Sequence, residues 1–175
     1  MVPDRPRGAR VSRRLEVFLG VSTLLLLATL ALGLSAGALV AEAGILVPYW
    51  RSLRAQEFLG WYRQHASLLF RFFGSMEVVS TALVVVATVS CWFTGHPGKA
   101  LVTASAALAF LVLAAFPIYF QKVNASFAEG TIDPGAVASE LRRWAAWHRV
   151  RTLLAIGAFL LAALALGRAD RHFLP

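Results

Sequence analysis

The chain has 175 residues, of which 58% are hydrophobic and only 15% charged, and its mean hydropathy is +0.67. That balance is too apolar for a soluble domain of this size and places the chain among membrane proteins. The single cysteine, Cys91, excludes an internal disulfide and any redox chemistry that needs a cysteine pair; it reads as a packing residue.

The first element is a basic tail over residues 1–14, where MVPDRPRGARVSRR carries five Arg and much of the formal net charge of +8. A run of this kind favours the cytoplasmic face and anionic lipid head groups, so the charge is read as a topology signal and nucleic acid is not expected as a partner. The body of the chain, 15–167, holds four stretches that meet the requirement of about 20 apolar residues for a membrane span, at about 17–47, 66–93, 100–120 and 150–166. A short tail over 168–175 closes it. The first stretch imitates a secretory signal, with Arg13 and Arg14 ahead of VFLGVSTLLLLATLALGLSAGA. Its apolar run is longer than the roughly 7–15 residues of a cleaved signal, so it reads as a retained helix.

Between the first two spans, PYWRSLRAQEFLGWYRQHAS opens on a proline and is rich in Trp and Tyr, which collect at membrane interfaces. This predicts a short amphipathic helix lying over the bundle and running into the second span near His65. TGHPGK turns the chain between spans two and three, with His96 as a solvated residue; His172 in the C-terminal tail is read the same way. After span three, EGTIDPG is a turn signal and AVASELRRWAAWHRV resumes helical periodicity, so the fourth helix starts near Gly135 and projects above the bilayer. The expected fold is all-α: an integral membrane four-helix bundle, in the plasma membrane, with both termini cytoplasmic. The orientation rests on the N-terminal cluster, because the side assigned as outer also carries Arg51, Arg54, Arg63, Lys122, Arg142, Arg143 and Arg149. Gly33, Gly37 and Gly44 allow helices to approach closely, first within the bundle and secondarily in a homo-oligomer.

The polar residues within or beside the spans are the candidates for function. At about 100° per residue, Arg151, Trp144 and Glu140 lie about 60°, 40° and 80° from His148, so all four share one helical face. Arg, Trp and His at the end of a span commonly serve as interfacial anchors. Glu42, Arg71 and Glu77 lie inside spans, where a charge costs about 2.5–3.5 kcal/mol at the centre and therefore signals a function or a partner. Six residues separate Arg71 from Glu77, about 120° around the helix, so the expected pairs are between helices: Glu42 with Arg71, and Glu77 with Arg151. Together with His65 and Asn124, these residues converge on one level near one membrane face.

Two chemistries suit that level. His65, His148, Glu42 and Glu77 supply the imidazole and carboxylate ligands that iron, copper or zinc accept, and His65 with His148 would be the pair for a haem. The alternative needs no metal or cofactor. His148 acts as a general base, Arg151 and Arg71 stabilise the anion, and Trp144, Trp147 and Trp61 wall an apolar aromatic substrate.

The pattern of Asn124, an acidic turn containing Asp133 and Pro134, and then Trp144, His148 and Arg151 in W-x-x-x-H-x-x-R, resembles the C-terminal part of anthrone-oxygenase-like membrane proteins. The first half is also similar, with a span rich in small residues leading to VPYW, so the resemblance covers most of the chain. It implies a compact four-helix membrane fold. For the fungal members with assigned chemistry, it also implies oxygenation of a polyketide anthrone at its acidic methylene to give an anthraquinone. The same resemblance implies Asn124 and Trp144 as substrate contacts and His148 with Arg151 as the base and its cationic partner. The competing expectation is a non-enzymatic subunit, or a binder of lipid or of a small apolar molecule, whose polar cluster is structural.

Overall fold

The computed structural model describes residues 7–170. The first six residues of the basic tail, and residues 171–175 with His172, lie outside the described residues. Among the described residues all regular structure is helical: α1 (Arg7–Ala41), α2 (Val47–Ser52), α3 (Ala55–Thr94), α4 (Lys99–Ala115), α5 (Gln121–Glu129) and α6 (Val137–Asp170). Two π-helical turns, Glu42–Leu46 and Phe116–Phe120, and a 3₁₀ turn, Pro134–Ala136, join them. Four continuous helical runs are long and apolar enough to cross a membrane: Leu19–Ser52, Ala55–Thr94, Lys99–Glu129 and Pro134–Arg168. They form a ring in which α1 packs on α3 and α6, and α4 packs on α3 and α6.

Both π turns have a cause in the sequence. Pro48 and Pro117 stand inside apolar runs, where a proline removes one backbone donor and its ring crowds the preceding turn. Each helix accommodates this by widening one turn: Val47 N–H bonds to Glu42 O, and Gln121 N–H to Phe116 O. The runs therefore continue instead of breaking. The stretch expected as a separate interfacial helix is divided between α2 and the first turns of α3, whose N-cap residue Arg54 donates its backbone N–H to Glu57 Oε2 at 3.0 Å. Left-handed glycines, Gly95 (φ 70°) and Gly130 (φ 69°), end α3 and α5. As expected, the last helical run starts close to Gly135.

At 1.5 Å per residue the 40 residues of α3 extend about 60 Å, twice a hydrocarbon core of about 30 Å. The surplus lies at one end, where Trp50, Phe58, Tyr62, Phe120, Phe127 and Trp144 form an aromatic core. The opposite half is packed with small residues, including Ala28, Ala87, Ala109, Ala158 and Ala162, together with buried Cys91. The α3–α4 turn is pressed onto α6 so closely that a Cβ on Gly98 would come within 2.7 Å of Ala165 O. This approach buries His96, contrary to its expected solvated place. Its Nδ1 accepts from Gly98 N–H at 3.0 Å, and burial pushes the imidazole pKa below its ordinary value.

Candidate functional site

The site lies between the aromatic and small-residue halves and begins with the face of α6. Spacing of three and four residues stacks Trp144, His148 and Arg151 on one side of that helix, and all three are buried. Trp144 lies parallel to the His148 ring, with centroids 5.0 Å apart, and its Nε1 donates to Asn124 Oδ1 at 2.9 Å. His148 is 1% exposed, and its Nε2–H donates to Leu39 O at 3.0 Å, which leaves Nδ1 to accept from Arg151 Nη2 at 3.4 Å.

Arg151 is the hub. Its Nη2 lies 3.3 Å from Glu42 Oε2 and its Nη1 lies 3.5 Å from Glu77 Oε1, while its Cζ is 4.5 Å from the centroid of Phe120. Glu42 opens the first π turn and Phe120 closes the second, so the two widened turns face one guanidinium from the two helical runs that flank α6. Buried charges of this kind are stable only when paired. Two carboxylates nonetheless share one guanidinium, and Arg151 Nε and Glu77 Oε1 have no hydrogen-bond partner.

The cluster forms the floor of a cleft of about 1270 Å³ between α3 and the α4–α5 helix. Glu42, Tyr62, Glu77, Asn124, Trp144 and Arg151 line its inner wall. Phe70 and Val78 on α3 and Phe110 on α4 edge its mouth with their side chains largely exposed, so the cleft opens sideways, within the span, toward lipid.

The expected Glu77–Arg151 pair is present, whereas the expected Glu42–Arg71 pair is not. Glu42 turns to Arg151 and approaches His148 Nδ1 at 3.7 Å; Arg71 is exposed on the cleft's edge, with its Nε donating to Ser67 O in its own helix. Arg71 therefore does not join Arg151 around one anion. His148 stands behind Arg151 and does not line the cleft, so it holds Arg151 and touches no occupant as the structure stands. His65 is removed from the cluster: its ring stacks on Trp61 at 4.2 Å, and its Nδ1–H donates to Trp61 O at 2.7 Å. Trp61 packs on Trp50 in the aromatic core. Trp147 stacks on Tyr119 at 5.1 Å, and neither Trp61 nor Trp147 lines the cleft. Glu140 shares the α6 face but is taken by Tyr119 Oη at 2.6 Å.

The metal set suggested by His65, His148, Glu42 and Glu77 is thus split. Among the described residues no three His, Cys, Asp or Glu side chains form a group able to hold a metal ion. Haem ligation by two histidines has no support in this geometry, because both ring nitrogens of His148 are already engaged, Nε2 by Leu39 O and Nδ1 by Arg151 Nη2. The residues that sequence reasoning missed are Phe120, Tyr62 and the Leu39 carbonyl. Proline inside an apolar span was the available signal for the first, since it marks the turn that delivers Phe120. Comparison of the chain with known protein families, curated proteins and solved structures gives no match.

Proposed function

We propose that this is an integral membrane protein that draws an apolar aromatic or polyketide-like molecule from the lipid into the lateral cleft and oxygenates it. The observation that carries the reading is the placement of an acid and a cation, Glu77 and Arg151, together on the inner wall of a cleft whose surface is mostly apolar. A carboxylate in that position can take a proton from an activated methylene. The guanidinium stabilises the enolate oxygen that results, and low polarity strengthens the interaction. The enolate's electrons then reduce dioxygen, giving a hydroperoxide that loses water. The balance is CH₂ plus O₂ to C=O plus H₂O, with no further reductant. His148 is a positioning residue that fixes Arg151, and Asn124 with Trp144 forms the side wall.

The test is dioxygen uptake by the protein in lipid nanodiscs with an anthrone as substrate. Wild type is expected to consume one O₂ per anthrone oxidised, Glu77→Gln to lose about a hundredfold or more in rate, as loss of a general base does, and His148→Gln to lose less. Uptake no faster than in empty nanodiscs overturns the oxygenase reading. A second reading, a non-enzymatic carrier or lipid binder, is favoured by the sideways opening of the cleft and by the mutual pairing of its charges. Saturable binding of the anthrone without uptake is its signature.

A further inference from the structure

We propose that the cleft seats a long amphiphile with an anionic head, a carboxylate or a phosphate, and that Arg71 selects that head. The proposal rests on the reading of the cleft as a site that takes molecules from the lipid, and within it on the lipid-binding reading, for which it names the head group.

Arg71 lies on the cleft's edge in a span flanked by Phe70, Phe72 and Phe73, where a charge without a partner is costly. Among the described residues no ion pair includes it, and its hydrogen bond to Ser67 O, at 3.4 Å, uses only Nε. The forked Nη groups of a guanidinium fit a carboxylate or phosphate with two parallel hydrogen bonds. Across the cleft, α5 adds Gln121 and Asn124. The Oδ1 of Asn124 is already engaged by Trp144, which leaves its amide NH₂ as a donor. This end of the cleft is therefore rich in donors, and an acceptor-rich anion is its complement.

Further from that end, Phe73, Val78, Phe110 and Leu113 offer only apolar surface. The cleft's volume of about 1270 Å³ exceeds the roughly 300–1,000 Å³ of a drug-sized site, which suits a long apolar body. Glu77 follows Arg71 by six residues, about 9 Å along α3. A head held at Arg71 would thus place the body, not the head, against Glu77 and Arg151, so head selection and the inner acid–cation pair are separate functions.

Trp144 lines the cleft and reports on its occupant. In zwitterionic nanodiscs at alkaline pH, quenching of Trp144, taken as the difference between wild type and Trp144→Phe, is measured with dibromostearate, a phosphatidate carrying dibromostearoyl chains, and methyl dibromostearate. One or both anionic probes are expected to quench at about tenfold lower mole fraction than the ester; the more potent identifies a free acid or a lipid as the source. Arg71→Gln should abolish this difference while leaving ester quenching and the unfolding temperature unchanged, and Arg71→Lys should restore part of it. Equal potency of ester and anions in wild type, or a preference that survives Arg71→Gln, overturns the selection of an anionic head. No quenching of Trp144 by any probe overturns the cleft as a binding site as well.

Discussion

Arg151 faces two carboxylates and one imidazole and is almost wholly buried, and its value to stability lies in what its removal would expose. Replacing one member of a buried ion pair costs about 3–5 kcal/mol because the charge left behind has no counterpart. Arg151→Met should therefore lower the unfolding free energy by about that amount in lipid or detergent. Adding Glu42→Gln and Glu77→Gln should recover most of the loss, since the uncompensated charges go with them. A triple variant no more stable than Arg151→Met would show that packing against Phe120, not charge, dominates the site. The sequence supported the Glu77–Arg151 pair because Arg71, the other cation at that level, lies about 120° from Glu77 around their own helix. It did not reveal the partner of Glu42. Glu42, at the opening of a π turn, reaches Arg151, while Arg71 stays at the edge of the cleft.

Among the elements, the α3–α4 turn shows how packing between helices sets a titration. Gly98 brings the turn against Ala165, and the neutral His96 imidazole accepts a backbone hydrogen bond there. Burial lowers the folded pKa of His96 below the ordinary value of 6.5, so the unfolded chain binds a proton at a higher pH than the folded chain does. The contribution of His96 is complete above about pH 6.5 and is lost as pH falls below it. Thermal unfolding between about pH 8 and about pH 5 should show a larger loss for wild type than for His96→Gln; equal losses would refute the assignment. GHPGK reads as a solvated loop in isolation because nothing local announces that Ala165 on the last helix will cover it. The ends of α3 and α5 and the start of α6 were more legible, since glycine and proline punctuation is local chemistry. The start of α3 was not, because Arg63 ties it to the carbonyls of Ala128 and Glu129 at 3.2 and 3.4 Å, a contact between segments far apart in sequence.

At the scale of the described residues, the four long helical runs put the start of α1 and the end of α6 on one side together with the α3–α4 turn, while the α5–α6 turn lies opposite. Reading the N-terminal arginines as cytoplasmic gives a direct check, since Cys91 is buried and silent. In intact cells a membrane-impermeant thiol reagent should label Thr131→Cys, and should label Pro97→Cys only after permeabilisation; the reverse pattern would invert the orientation. Four spans were legible from hydropathy alone, whereas their ring arrangement and the cleft between α3 and α4–α5 depend on side-chain shape. That sideways mouth also determines how any occupant is supplied. A molecule reaching the cleft from the bilayer has already left water, so the relevant concentration is its mole fraction among the acyl chains. Saturation will then shift with the amount of lipid added and hardly at all with the volume of buffer, and a detergent tail competes for the same space.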